Sequence, residues 1–98
     1  MKKYTDLAKK VFREHGVEAE ADVHLVDEQE MSNLHMKYMN LTGPTDVLSF
    51  PLDTTLPDGK RFLGDIVICE SEAKKYGESI EFLVEHGCLH LLGIHHKE

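Results

Sequence analysis

Histidines near the C-terminal end of the sequence have the types and spacing of a metal site. The segment HGCLHLLGIHH contains His86 and His90, four residues apart, followed by Gly93 and His96. Neutral imidazole is the commonest zinc ligand, and histidines at i and i+4 on a helix can bind one ion. Glycine readily adopts the left-handed conformation that ends a helix, so the chain can turn His96 back toward that ion. The spacing predicts one Zn²⁺ per chain, held by His86, His90 and His96, with a fourth position open for water.

The residue after the first histidine limits the chemistry of such a site. The same spacing occurs in the HExxHxxGxxH pattern of metzincin proteases, in which a glutamate at that position is the general base. Here Gly87 stands there, and Glu85 projects about 100° or more around the helix from both histidines. A zincin-like metallopeptidase is therefore an alternative that lacks its base. His95, which precedes His96, leaves a second choice for the third ligand open.

The elements that would position these residues follow from the hydrophobic periodicity. Apolar residues have helical spacing from 4 to 12 and alternate from 21 to 26, and Asp27 with Glu30 resembles a capping box. The second helix would turn Met31, Leu34 and Tyr38 inward. The remaining prediction is a strand at 45–52, a loop with a turn at 57–59, a central strand buried on both faces at 62–69, and helices at 71–76 and 78–92. This gives the order αβαββαα, with a hairpin between the second and third strands.

Composition indicates a small globular protein. Ninety-eight residues, 41% of them hydrophobic, fit one domain spanning 1–98. No apolar run is long enough to cross a bilayer, and charges interrupt any signal-peptide core in MKKYTDLAKKVF, so a cytoplasmic location is expected. The net charge of −7 argues against coating nucleic acid by bulk electrostatics, although a bound divalent metal would be a local positive centre. Cys69 and Cys88 show no CxxC spacing and are expected to be buried and reduced.

Three segments together resemble a known family. HGCLHLLGIHH, PTDVLSFP at 44–51 and LGDIVIC at 63–69 are similar, in order and spacing, to the YbeY family of zinc-dependent endoribonucleases that mature ribosomal RNA in bacteria. The resemblance implies an α+β fold with a small mixed sheet of about three to four strands. It also implies a zincin-like arrangement of the metal-binding helix, and zinc on His86, His90 and His96.

The same resemblance implies a substrate and partners. The expected activity is cleavage of single-stranded RNA, in processing the 3′ end of small-subunit ribosomal RNA and in ribosome quality control. Ribosomal RNA and the small ribosomal subunit would be the partners, with no membrane. Met39 departs from the family pattern, which has an arginine there as a candidate phosphate clamp; Lys37, Lys60 and Arg61 are possible substitutes. A second alternative is therefore a zinc-stabilised ribosome-assembly factor with little catalysis.

Other polar residues in the motifs have both a structural and a functional interpretation. Asp46 and Ser49 either cap and complete a strand or orient a ligand or substrate. Asp65 is interpreted as a hydrogen-bonded structural residue, with participation in the site as the alternative. His24 is expected to be a strand-face histidine rather than a ligand, and His95 occupies a position that is more often aspartate in the family. No residue is assigned as general base.

Overall fold

A mixed three-stranded sheet flanked by helices forms the framework of the computed structural model, which describes residues 2–94. The elements are α1 (Lys2–Glu14), β1 (Ala19–Val26), α2 (Glu28–Met39), β2 (Val47–Thr55), β3 (Arg61–Cys69), α3 (Glu70–Lys75) and α4 (Ile80–Leu91). The α+β class and the order αβαββαα predicted from the sequence are confirmed.

The long apolar strand β3 lies at the centre of the sheet, in the order β1-β3-β2. It pairs in parallel with β1 and in antiparallel orientation with β2, so the predicted hairpin is present. The hairpin turn is closed where the Leu56 N–H donates to the Lys60 carbonyl at 2.7 Å and the Gly59 N–H donates to the Leu56 carbonyl at 2.9 Å. A strand with neighbours on both edges and helices packed on both faces favours apolar residues, which explains the FLGDIVIC segment apart from Asp65.

The two faces of the sheet carry separate cores because successive side chains of a strand point to opposite sides. On one face, Ile66 and Ile68 pack with α1 and α4, where Phe12 and Leu83 are almost completely buried. The other face packs against α2 through a smaller cluster of buried residues: Met31, Leu48, Val67 and Cys69. Both cysteines are free and buried, as predicted.

The predicted start of α2 is confirmed, but its inward side is shorter than expected. The Asp27 carboxylate accepts a hydrogen bond from the Glu30 N–H at 2.8 Å, and Met31 is fully buried. Tyr38 was predicted to face inward and is instead 55% exposed. The Tyr38 ring packs against the Phe50 ring of the edge strand β2 in a T-shaped arrangement, with 5.0 Å between centroids.

Strand β2 continues to Thr55, beyond its predicted end at residue 52. Pro51 does not stop it because β2 is an edge strand, where a residue without an N–H is tolerated. The register with β3 shifts between Pro51 and Thr54, and Asp53 within that irregularity has a φ of 52°. Across residues 2–94, no helix is long and apolar enough to span a membrane.

Candidate metal centre

Helix α4 presents the two histidines of the motif from a firmly anchored position. Its first turn is capped by Ser79, whose hydroxyl oxygen accepts a hydrogen bond from the Phe82 N–H at 3.0 Å. Leu83, Val84 and Cys88 bury the inner side of the helix. Phe82 is 51% exposed because it projects from the outer side. The helix is therefore buried on one side only.

His86 and His90 lie next to each other on this helix, as their spacing predicts. Their ring centroids are 4.4 Å apart and the rings are tilted by 45°, and both side chains are half-buried. The Phe82 ring is 6.2 Å from the His86 ring on the preceding turn. Phe82, Glu85, His86 and Leu89 line a shallow depression of about 380 Å³. Two adjacent imidazoles at an accessible surface are a suitable donor set for Zn²⁺.

The helix ends in the turn that the sequence predicts at Gly93. Gly93 has a φ of 81°, its N–H donates to the His90 carbonyl at 3.0 Å, and the Ile94 N–H donates to the Leu89 carbonyl at 2.8 Å. These two bonds are those of a Schellman motif, which reverses the chain at a helix end. The predicted third ligand, His96, and its alternative, His95, lie outside the described residues, so the three-histidine site stays a prediction.

The close approach of α4 to the sheet explains why glycine follows His86. A Cβ atom on Gly87 would lie 2.8 Å from Cγ2 and 3.0 Å from Cγ1 of Ile66, which is fully buried in β3. A glutamate there would point into the sheet rather than toward a metal. The metzincin general base is therefore excluded at this position by packing.

The structure shows the contacts of Asp46, Ser49 and Asp65, for which the sequence allows both a structural and a functional interpretation. Asp46 stabilises the entry to β2: its carboxylate accepts from the Val47 N–H at 2.8 Å, and its carbonyl accepts from the Cys69 N–H at 2.9 Å. Ser49 pairs with Ile66 and so points to the α4 face. Asp65 points to the opposite face, away from α4, which removes it from the histidine site.

A carboxyl pair joins Asp46 to the start of α4. The Glu78 side chain shares a hydrogen bond with the Asp46 carboxyl, and this bond, burial and the Asp46 charge raise the pKa of Glu78 to about 7. Two carboxyls this close retain a proton between them because both cannot ionise cheaply. The pair lies at the opposite end of α4 from His90.

The proposed substitutes for the family arginine are engaged elsewhere. Lys60 forms an ion pair with Glu20 at 3.4 Å, and Arg61 holds both carboxylate oxygens of Asp53 at 3.2 Å. The Lys37 ammonium lies over the Tyr38 ring at the end of α2, 5.1 Å from its centroid. Met39, the last residue of α2, is exposed and brings no charge.

A second group of metal-ligating side chains lies on the sheet and was missed from the sequence. Asp22, His24 and Asp65 each offer one ligand atom, and these atoms lie within 4.8 Å of one another. The His24 prediction is correct in that the ring lies on a strand face, but that face also carries Asp65, 3.0 Å from its Nε2. Only the β1–β3 register, which the sequence does not show, reveals this juxtaposition.

Comparison with known proteins identifies the family to which this chain is similar. The family model described as Endoribonuclease YbeY matches residues 1–98. An endoribonuclease YbeY of Corynebacterium efficiens is 43% identical over 98 aligned residues, which cover 83% of this chain and 49% of the relative. One of Thermobifida fusca is 45% identical, covering 82% of this chain and 61% of the relative.

A solved structure supports the same relationship. The solution structure of a Thermotoga maritima protein matches with a TM-score of 0.55 and 26% identity, covering 98% of this chain and 66% of the other. The chain spans between about half and three-fifths of the length of the two curated relatives. The chain belongs to the YbeY family.

Proposed function

We propose that this chain is the zinc-dependent domain, over residues 1–98, of an endoribonuclease that cleaves single-stranded RNA. The observation that carries the proposal is the His86–His90 pair, held 4.4 Å apart between ring centroids on an anchored helix that ends in a chain reversal at Gly93. The family name gives the reaction class, and the imidazole donor set fits Zn²⁺.

His86, His90 and His96 would hold the metal, which when bound supplies a Lewis acid and an acidified water. The chain contributes a rigid support, since the buried side of α4 fixes the helix that carries two of the three imidazoles. The outer side of α4 leaves the depression beside His86 open to a large substrate. Gly87 offers no carboxylate, so proton transfer must be served by another group or by the substrate itself.

The proposed substrate is ribosomal RNA, at the 3′ end of the small-subunit species, with ribosome quality control as the wider role. The small ribosomal subunit is the proposed partner and the cytoplasm the proposed location. A chain with a net charge of −7 repels a polyanion, whereas a bound divalent cation attracts one phosphate locally. Binding of RNA should therefore depend strongly on the metal.

The experiment compares cleavage of a single-stranded ribosomal RNA fragment by wild type, His90→Ala and His15→Ala, with bound metal measured on each sample. His15→Ala is the matched control because this variant also removes an imidazole. The His15 ring lies at the end of α1, where it hydrogen-bonds the Val11 carbonyl. His90→Ala should lose cleavage and one bound zinc per chain, while His15→Ala keeps both. Equal cleavage by wild type and His90→Ala would refute the proposal.

A second function is favoured by one observation, the exposed and uncharged Met39 at the end of α2. Without a cation there, the chain would act as a zinc-stabilised ribosome-assembly factor with little catalysis. In that case the zinc-loaded protein binds ribosomal particles but leaves RNA intact, and Met39→Arg should increase cleavage.

Peptide cleavage that disappears on chelation would instead support the metallopeptidase alternative. The packing of Gly87 against Ile66 argues against that alternative, because it leaves no room for the glutamate base.

A further inference from the structure

The geometry points to a second divalent-metal site, formed by Asp22, His24 and Asp65 on the sheet face that α2 covers only in part. It is separate from the histidines of α4 and does not rest on the proposed RNA cleavage. The three side chains offer two carboxylates and one imidazole, a donor set that suits Zn²⁺ or Mn²⁺.

The strands hold these ligands in place. Asp22 and His24 are two residues apart on β1 and so project from the same face, and Asp22 pairs directly with Asp65 of the central strand β3. A ladder of backbone hydrogen bonds fixes all three Cα atoms. The site would therefore require side-chain rotations, with no movement of the strands, to close on an ion.

The spacing of the ligand atoms fits one metal ion. Bonds of about 2.0–2.2 Å place neighbouring ligand atoms of one ion about 3 Å apart, and opposite ligands no more than about 4.4 Å apart. The Nε2 of His24 and the Oδ1 of Asp65 are 3.0 Å apart, and no pair exceeds 4.8 Å. The longest of these distances must therefore shorten by up to about 1.5 Å for all three atoms to be neighbouring ligands of one ion.

Charge gives an independent reason for a cation at this position. Asp22 and Asp65 are like charges directly opposite each other on paired strands, an arrangement that destabilises a sheet. Within residues 2–94, neither carboxylate forms an ion pair with a lysine or arginine, and Asp65 has only the ring of His24, which is charged only when protonated. A divalent ion would supply the missing positive charge.

The site opens onto a groove that is large enough to admit a small molecule beside the ion. His24 and Asp65 are part of the wall of a cavity of about 610 Å³, which runs between the sheet and α2 and includes Leu34, Tyr38 and Phe50. Coordination positions that the protein does not fill would face this groove. Because Asp65 and Ile66 project to opposite faces, the sheet separates the site from α4.

The test is a titration of the full chain with Mn²⁺ alone, followed by broadening of backbone amide signals in ¹H–¹⁵N spectra. In wild type and in His90→Ala, amides of residues 22–25 and 64–66 should broaden. In Asp22→Asn and His24→Gln, the same broadening should need at least about tenfold more Mn²⁺. Asp6→Asn, which removes the same charge from exposed α1, is the matched control and should behave as wild type.

Two results would overturn the proposal. One is that amides 22–25 and 64–66 of the wild type stay sharp when added Mn²⁺ exceeds protein several-fold. The other is that Asp22→Asn titrates like Asp6→Asn. Spectra of each variant recorded before Mn²⁺ addition show that the chain is folded, so a lost response in the variants is attributed to the ligands.

Discussion

At the scale of residues, Gly87 shows how the absence of one atom determines the packing of α4. Its absent Cβ leaves room for Cγ2 of the fully buried Ile66, which lets α4 lie directly on β3. Gly87→Ala would place a methyl group 2.8 Å from that atom. Because Ile66 is β-branched and enclosed, it has little freedom to move aside.

We expect Gly87→Ala to lower the free energy of unfolding. Overpacking costs about 1–3 kcal/mol, and the better helix propensity of alanine returns about 1 kcal/mol, so a net loss of about 1 kcal/mol is expected. Urea unfolding measures it, with Lys10→Ala on exposed α1 as a control that should change stability by less than about 0.5 kcal/mol. Equal or greater stability of Gly87→Ala would show that α4 shifts without cost.

The sequence correctly predicts that His86 and His90 lie side by side, because their relationship is local to one helix. For Gly87, the sequence indicates only that the glutamate of the metzincin pattern is absent. The structural reason for the glycine is its contact with Ile66, which belongs to another element. The contact between His24 and Asp65 was missed for the same reason, as their positions differ by 41 residues. Local spacing reveals side chains that are adjacent on one element, whereas side chains brought together by strand pairing can be found only from the register.

At the scale of elements, Gly64 controls the pairing of β3 with β2. It has a φ of 140°, and a Cβ there would overlap the Phe50 carbonyl group and approach Cα of Pro51. The clash is with backbone, which cannot rotate away as a side chain can. The LGD segment of the motif is therefore explained by the close approach of two strands.

Gly64→Ala should destabilise the fold by more than about 3 kcal/mol, since backbone strain and steric overlap add. Gly59→Ala in the hairpin turn is the matched control. Gly59 also has a positive φ, of 89°, but a Cβ there meets nothing within 4 Å, so only strain of about 1–2 kcal/mol is expected. Chemical denaturation compares the two variants, and equal losses would contradict the steric explanation.

The junction of α3 and α4 predicts a pH dependence. Glu78 has a pKa of about 7 in the folded chain and 4.5 as its ordinary value, so the folded state binds more protons between these values. Its contribution to stability is therefore full below pH about 4.5 and is lost as pH rises toward and through about 7. Glu78→Gln should remove this loss.

The measurement is the melting temperature of wild type and Glu78→Gln between pH 5 and 8. The variant should gain stability relative to wild type as pH rises, whereas Glu14→Gln, at the exposed end of α1, should run parallel to wild type. Parallel curves for wild type and Glu78→Gln would mean that the two carboxyls do not interact. The pair was not predicted from the sequence because Asp46 and Glu78 lie in separate connections, one before β2 and one before α4.

Element types were predicted more reliably than their ends. Periodicity gives the helical and extended segments directly, but the end of β2 depends on its position at the sheet edge, which permits Pro51. Likewise, the exposure of Tyr38 depends on how much of α2 is covered by the sheet. Both features depend on tertiary contacts: the end of β2 on its place in the sheet, and the buried side of α2 on the area that the sheet covers.

At the scale of the whole molecule, metal binding at α4 should be linked to global stability. An ion that binds only the folded chain stabilises it by mass action, by about 2.7 kcal/mol when free metal is a hundred times the dissociation constant. Chelation should therefore lower the melting temperature of metal-loaded wild type, and His90→Ala should lose most of this sensitivity.

Calorimetry with and without a chelator provides the measurement. His15→Ala is the control, because it should keep the full shift of the wild type. If His90→Ala shows the same shift as His15→Ala, the stabilising ion is bound elsewhere. The site of Asp22, His24 and Asp65 is the first candidate in that case, and adding Asp22→Asn to His90→Ala would test it.

The two cysteines lie in different hydrophobic cores, so each can report on the opening of its own core. Cys88 belongs to the core shared by the sheet with α1 and α4, and Cys69 to the core under α2, and both are fully buried. Burial, with the nearby Glu85 charge, raises the pKa of Cys88 to about 12, so this thiol reacts with alkylating reagents only when water enters. Modification rates at the two sulfurs, read by mass spectrometry, would then distinguish concerted unfolding from separate loosening of either side.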